Sequence, residues 1–485
     1  MYLGIDIGTS EVKALLLAPN HQVIGSAGSP LQVSRPHPGQ SEQAPADWWQ
    51  ATQLALAQLR QSHPAEFAAI QGIGLSGQMH GAVLLDAQDQ VLRPAILWND
   101  TRSATECTEM MAECPDLTAL AGSLAMPGFT SPKLRWVARH EPELFKRVAK
   151  VLLPKDYVRL MLTGDYVTDL SDASGTLWLD VQQRAWSDQL LALTNLTTAH
   201  MPRLVEGSEA GGQLKADVAH ALGLQPGIVV AGGAGDNAAS AVGMGAVDAG
   251  QGFLSLGTSG VLFVVTPSYQ PNAASATHAF CHALPKRWHQ MSVMLSAASS
   301  LQWVTSLLGQ PSEGALAAQA ETLTLAQRAA APVFLPYLGG ERTPHNDAQV
   351  RGSFHGLSFD TDAARLGYSV IEGVTFGLKD GLTALNAAGS TVQRLSLVGG
   401  GSRSALWAQQ LASALNVEVV THGSSAVGGA LGAARLAWLA TGATQDTVCL
   451  SPEVVSNYRP DALEQDMLAS RYARFRSLYA SPTAA

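Results

Sequence analysis

Two aspartates, Asp6 and Asp236, and three glycine-rich turns hold most of the chemistry that this sequence could perform. Asp236 follows a short apolar run, Ile228 to Ala231, and the turn Gly232 to Gly235, at the mouth of a predicted helix. An aspartate placed there is a standard helix cap. It can equally serve as a general base that takes the proton of an attacking hydroxyl. Spacing alone does not separate the two, and Asn237 beside it either binds a hydroxyl or extends the cap. The turns are Gly8-Thr9-Ser10, Gly257-Thr258-Ser259 and Gly399-Gly400-Gly401-Ser402. Small residues let successive backbone N–H groups converge on phosphate oxygens, and the hydroxyls add donors. One such turn is usually a plain hairpin. Three, two of them related, point to a clamp for a polyphosphate.

The relation between those two is a weak internal repeat. Ile5-Asp6-Ile7-Gly8-Thr9-Ser10-Glu11-Val12 is echoed by Leu254-Ser255-Leu256-Gly257-Thr258-Ser259-Gly260-Val261, and an apolar strand follows each copy. A strand–turn–strand unit occurring twice predicts two similar halves facing each other. Asp6 becomes Ser255 in the second copy. Folding does not require that difference, but a metal-holding carboxylate does.

Further polar groups sit at strand ends. Gln78-Met79-His80-Gly81 and Trp98-Asn99-Asp100 combine hydrogen-bonding side chains with an aromatic platform, a composition suited to a sugar, although a lone His or Trp there more often packs. His278, Cys281, His282 and His289 invite a metal reading. Strand alternation puts Cys281 on the opposite face from His278 and His282, and no nearby carboxylate completes a tetrahedral set, so packing is expected. No Walker A sequence occurs. Gly72-Ile73-Gly74-Leu75-Ser76-Gly77 has the G-x-G-x-x-G spacing but lies within a strand. Gly233-Ala234-Gly235-Asp236-Asn237-Ala238 is better placed but lacks the acidic partner of a dinucleotide site.

The elements that must position these groups begin with a meander, Leu3 to Ile7, Val12 to Leu17 and Val23 to Ala27. A helix is predicted over Trp48 to Leu59 with Asp47 as its cap, then a strand at Ile70 to Leu75. Ala82 to Asp86 and Val91 to Leu97 read as one hairpin around Ala87 to Gln90, and residues 100–180 as mostly helical. Gly243 to Gly252 is a glycine-spaced stretch suited to a hinge.

At 485 residues the chain has room for roughly two to four domains. Its composition, 46 % hydrophobic and 14 % charged, is that of a globular enzyme. A net charge of -9 argues against non-specific nucleic-acid binding. No apolar run reaches the ~18 residues of a membrane span, and the N-terminus has no basic n-region. Four cysteines without C-x-x-C spacing are expected to be reduced. These features predict a cytoplasmic location.

With those residues in view, the sequence resembles the carbohydrate kinases of the FGGY family over nearly its whole length. The likeness is carried by Gly4 to Ser10, Ser76 to Gly81, Leu97 to Asp100, Gly128 to His140 (with Thr130, Lys133 and Trp136), Leu153 to Tyr157 and Asp169 to Thr176. It continues in Gly235 to Ala239, Leu335 to Pro344, Gly352 to Glu372, Val398 to Gly401 and Gly429 to Ala434. The resemblance implies an α/β fold of two ribonuclease-H-like domains, of the actin/hexokinase/Hsp70 ATPase type, around a central cleft. Residues 1–243 would bind the sugar, and residues 244–485, ending in a helical tail, the nucleotide. It implies ATP and Mg²⁺ as cosubstrate and cofactor, with Asp236 as the base and Asp6 placing the metal, through water. Met79, His80, Asp236 and Asn237 would line the sugar site. Thr9, Lys13, Gly257, Thr258, Gly400, Gly401 and Ser402 would contact the nucleotide. The motifs at Gln78-Met79-His80 and Gly235-Asp236-Asn237 imply D-xylulose as acceptor, with gluconate the nearest rival. The resemblance leaves room for a homodimer. An actin- or Hsp70-like ATPase is the rival from another class, though only a helical, Arg-containing tail follows residue 440. Two positions depart from the family pattern: Glu11 beside the first phosphate turn, and Arg365 in the second signature.

Overall fold

The computed structural model describes residues 1–423 and 428–480. The first sheet is built from β1 (Tyr2–Ile7), β2 (Glu11–Leu17) and β3 (Val23–Pro30), followed after helix α1 (Pro45–Ser62) by β4 (Gly72–Gly77). Helices α2 (Thr130–His140) and α3 (Pro154–Thr163) precede β5 (Ala210–Gln213), β6 (Val229–Ala231) and β7 (Ala234–Gly235), and helix α4 (Asp236–Met244) follows directly. The sheet has seven strands in the order β5-β6-β4-β1-β2-β3, with β7 also pairing with β4. β1, β2 and β3 are antiparallel neighbours, whereas β4 and β6 continue parallel to β1.

The second half repeats the plan. β8 (Gln251–Leu256) and β9 (Gly260–Thr266) form its hairpin, and β10 (His278–Cys281) and β11 (Trp288–Met294) extend it. The 25-residue helix α5 (Ala363–Ala387) leads to β12 (Arg394–Val398), helix α6 (Ala405–Leu415), β13 (Glu418–His422), helix α7 (Gly428–Ala440), β14 (Val454–Tyr458) and the terminal helix α8 (Ala462–Ala480). The strand order is β10-β11-β9-β8-β12-β13-β14. The core of each sheet is therefore the same five-strand pattern, β3-β2-β1-β4-β6 against β11-β9-β8-β12-β13, with the first strand central and two parallel strands beside it. The paired GTS turns are the equivalent hairpins of these halves. Asp6 and Ser255 are both penultimate in their central strands.

Central strands covered on both faces must be apolar throughout. Leu3, Ile5, Ile7, Val12, Ala14 and Leu16 are buried against Trp48, Ala55 and Leu59 of α1. The opposite face of the first sheet is covered by α7, which arrives from the second half of the chain. Ala430, Ala434 and Ala437 pack with Tyr2, Leu15 and Leu17 there, and with Ala238, Ala239 and Val242 of α4. Arg435 of α7 donates to the carbonyls of Val242 (2.9 Å) and Gly243 (3.1 Å), satisfying the C-terminal end of α4. The two halves are thereby interlocked rather than simply apposed.

One sequence expectation is met in part and another needs correction. The segment predicted as a hairpin over residues 82–97 forms one, with Asp86 N donating to Gln90 O at 3.0 Å, Leu92 N to Leu84 O at 2.9 Å and Ala82 N to Ile96 O at 3.2 Å. Its arms meet only in isolated bridges, Leu85 with Val91 and Ala82 with Ile96, and their longer pairings lie elsewhere. Val83–Leu85 joins Lys150–Leu152, and Ala95–Ile96 joins Glu42–Gln43. Pro94 has no N–H to donate, which breaks the second arm. Helix α1 starts at Pro45 rather than beyond Asp47, and no side chain caps it. Proline at the first helical position supplies a preset φ and needs no acceptor. Arg365, in the first turn of α5, is partly exposed and paired with Asp362 at 2.8 Å, which offsets a cation at a helix N-terminus.

Candidate active site

Asp236 stands at the start of α4, where Gly235 is the capping residue and no side chain caps the helix. Asn237 holds it twice, with its backbone N at 2.7 Å and its Nδ2 at 2.8 Å each donating to Oδ1 of Asp236. Both bonds thus fall on Oδ1 and leave Oδ2 to other donors. Burial, and then the charge of Asp6, push the Asp236 carboxyl up to about 6. Asp6 pairs across the hairpin with Lys13 and across β4 with Ser76. Burial raises its carboxyl too, against the nearby Ser76 hydroxyl and Lys13, with exposed Glu11 adding a little repulsion. Its Oδ1 is buried without a hydrogen-bond partner. The Glu11 carboxylate lies over β3, 3.0 Å from where a Cβ on Gly28 would stand.

Met79 and His80 leave the end of β4 beside this pair. Met79 packs on Gly235 and Gly175, where an added Cβ would stand 2.9 Å and 2.8 Å from its side chain. His80 adopts a left-handed backbone, φ 71°. Its Nδ1 lies 2.7 Å from the Gly175 carbonyl. A carbonyl only accepts, so Nδ1 carries the proton and Nε2 is left as an acceptor. Burial first, then the nearby Lys133 charge, lower the imidazole to about 3, so it is neutral near pH 7. The ring stacks on Phe129 at 4.2 Å.

The main chain at His80 is fixed by residues whose roles are not legible from spacing. Thr130 Oγ1 (3.1 Å) and Lys133 Nζ (2.9 Å) both donate to its carbonyl, and Lys133 also reaches Ile96 O at 3.1 Å. Gln78, one residue earlier, accepts from Thr9 Oγ1 at 3.0 Å and donates to Gln43 Oε1 at 3.0 Å. Trp98 Nε1 donates to the same Thr9 hydroxyl at 3.0 Å, and Gln43 Nε2 to Thr9 O at 2.8 Å. The Thr9 side chain therefore ties the first GTS turn to the segment that leads from β4 into Met79 and His80.

The second half contributes a cavity of about 590 Å³ lined by Gly257, Thr258, Ser299, Gly400, Gly401 and Arg403, among others. That is within the usual size of a site for a small organic ligand. Gly399 has φ 90°, and a Cβ there would lie 2.5 Å from Leu256 O, so only glycine lets the two turns close up. Ser402 turns its hydroxyl back to Gly399 O at 2.7 Å. Thr9 and Lys13 belong to the opposite half. The four residues of the cysteine–histidine group are buried, each with its own neighbours: His278 bonds Ser123 Oγ at 2.8 Å, His282 Nε2 faces Ala246 O at 3.3 Å, His289 stacks on Phe263, and Cys281 packs beside Leu170. All four cysteines are free and buried. Among the described residues no helix is long and apolar enough to cross a membrane.

Two ribonuclease-H-like sheets, each with a GTS turn after its central strand, with Asp6 at the end of one central strand and Asp236 at the mouth of α4, define a phosphotransferase of the actin/hexokinase ATPase fold. The N-terminal domain profile of the FGGY family of carbohydrate kinases matches residues 1–243, and its C-terminal domain profile residues 252–441. The chain belongs to that family and is an ATP-dependent sugar kinase. It is 50 % identical over 482 residues to the xylulose kinase of Escherichia coli K12, covering 99 % of this chain and 98 % of that one. A crystal structure described as a xyloylose kinase from Brucella ovis superposes with a TM-score of 0.96 at 52 % identity, over 99 % and 98 % of the two chains. The xylulose kinase from Rhodospirillum rubrum gives 0.92 at 29 % identity, with the same coverage.

Proposed function

We propose that the protein transfers the γ-phosphate of ATP to O5 of D-xylulose. The observation that carries this reading is the Asp236 carboxylate, poised near pH 6 at the mouth of α4 with Oδ2 free, beside Met79 and His80. The sugar lies against the first half, residues 1–243. Its hydroxyls donate to the neutral His80 Nε2 and to Asn237, and O5 approaches Asp236. ATP enters from the second half, residues 244–485, with its adenosine in the cavity near Gly257, Thr258, Gly400 and Gly401 and Ser402 at its edge. Thr9 and Lys13 meet its phosphates from the facing turn. Gly245 and Gly250, both with positive φ between α4 and β8, are the points about which the halves close. Closure excludes the water that would otherwise accept the phosphoryl group.

Asp236 then takes the O5 proton as that oxygen attacks in line. Turn amides and Lys13 stabilise charge on the phosphoryl oxygens. The unpartnered Asp6 Oδ1 and the mutual repulsion of Asp6 and Asp236 fit a divalent cation, which Asp6 would hold through water. When bound, Mg²⁺ would neutralise charge on the phosphates.

The test is ADP release by the purified protein with ATP and D-xylulose, D-ribulose, L-fuculose, glycerol or gluconate. D-Xylulose is expected to give the highest kcat/KM. ATP turnover indifferent to every sugar would sink the kinase reading, and gluconate preference would move the assignment within the family. In the same assay His80→Ala is expected to raise the sugar KM by about 10- to 100-fold, the loss of a buried hydrogen bond and its packing. The KM for ATP should stay within about twofold of its starting value, because no nucleotide contact is removed. An unchanged sugar KM would take His80 out of the site.

A further inference from the structure

Behind the turn that bears Asp236 lies a group of buried charges that the mechanism above does not use. Lys155 Nζ stands 2.6 Å from Asp156 Oδ1, 2.9 Å from Asp169 Oδ1 and 3.1 Å from Asp172 Oδ2, and all four side chains are fully buried. Desolvation would strip the proton from Lys155, but the three acids outweigh it and hold the ammonium charged. Burial, with Asp156 and Asp169 nearby, raises Asp172, against the pull of Lys155. A buried cluster of this kind is a weak source of stability, so what it orients is the better question.

It orients Asp169. With Oδ1 ion-paired to Lys155, the other oxygen caps the short helix Leu170–Ser174, accepting from Ser171 N at 2.8 Å, Asp172 N at 3.3 Å and Ser171 Oγ at 2.5 Å. Since the Ser171 hydroxyl spends its proton on Asp169, it faces outward as an acceptor and takes the Gly235 N–H at 3.2 Å. Gly235 immediately precedes Asp236. Met79 presses on Gly235 as well, so the turn is held between Ser171 and the floor of the sugar site. The same helix ends at Gly175, whose carbonyl receives His80.

We propose that Lys155, Asp169 and Ser171 form a positioning relay that sets Gly235, and through it the Asp236 carboxylate, in line with the acceptor hydroxyl. The inference rests on Asp236 being the base. Misplacing a reacting group by about 1 Å can cost roughly 100-fold in rate, so the relay should act on kcat and spare binding.

Ser171→Ala removes one hydroxyl and leaves Lys155–Asp169 and the bonds from Asp169 to backbone N–H groups intact. It is expected to lower kcat by about 10- to 100-fold. The KM for D-xylulose and for ATP should stay within about threefold. Placed on an Asp236→Ala background it should produce no further loss, because its effect passes through that side chain. Should Ser171→Ala not accumulate folded, Asp169→Asn carries the same test, keeping the size and an acceptor oxygen while removing the charge. A folded variant with kcat within twofold of the starting enzyme overturns the relay. So does a rise in sugar KM alone, which would mean action through Gly175 and His80, or an equal loss on both backgrounds. Near-normal turnover by Asp236→Ala itself would overturn the base assignment, and is read from that single variant before Ser171 is touched.

Discussion

Asp236→Asn is expected to lower kcat for sugar phosphorylation by about 100- to 10,000-fold, the range associated with losing a positioned general base. The amide keeps the shape of the carboxylate and can still face Asn237, but it cannot take the O5 proton. Stability should respond with the opposite sign. The folded Asp236 carboxyl titrates at about 6, above its ordinary 3.8, because burial and Asp6 both disfavour its charge. Ionised Asp236 therefore opposes folding. That penalty is absent below about pH 3.8, grows as pH rises, and is complete above about pH 6. At pH 7 the variant should unfold at the same temperature or a higher one, and at pH 4 the two proteins should coincide. The unmodified enzyme should in turn lose kcat/KM below about pH 6 as the base becomes protonated. Steady-state kinetics over pH 5 to 8 and thermal unfolding at two pH values check all of this. An acid limb that persists in Asp236→Asn, or near-normal turnover by it, would assign the base elsewhere.

How far the sequence reaches this site depends on the range of the interactions. The strand–turn–strand repeat is local, and its two copies emerge as equivalent hairpins at the centres of matching sheets. Asp236 at a helix mouth is equally local, and structure removes the capping alternative, since its bonds are to Asn237 and Gly235 occupies the cap. What stays hidden is long-range. Lys133 supports His80 from 53 residues away, and Ser171 reaches Gly235 from 64. No spacing rule connects such pairs. The hairpin over residues 82–97 forms because it is local, but Val83–Leu85 takes its ladder partner at Lys150–Leu152, beyond any local pattern. The G-x-G-x-x-G of β4 is the sharpest case. It has the spacing of a phosphate loop, yet Gly72 and Gly74 face a helix more than 350 residues on.

That helix supplies the second large effect. Substituting Gly432 with valine is expected to abolish both folding yield and activity. Alternate glycines on the strands, Gly4 in β1 with Gly72 and Gly74 in β4, open one face of the sheet. Helix α7 lies across it with Ala430, Ala433 and Ala437 on a single face, their carbonyl oxygens 1.9, 1.8 and 3.0 Å from where strand Cβ atoms would be. On its other side Gly432 meets α4, and a Cβ there would stand 1.7 Å from Ala239 O. Backbone, unlike a side chain, cannot rotate aside. Ordinary overpacking costs about 1–3 kcal/mol. Here the overlap is with main chain held on both sides, so the cost should exceed that range. The strain falls on α4 three residues after Asp236, while Gly429 in the first turn of α7 rests against the Asp6 carboxylate. Even a partly folded Gly432→Val protein would therefore misplace Asp6 and Asp236. Soluble yield, calorimetric unfolding and kcat should all fall together. A soluble variant with unchanged kcat would refute the close approach of α7 to α4. Gly74→Ala should damage stability in the same way, through Ala433 rather than through α4, and in whatever protein folds it should disturb Asp236 less.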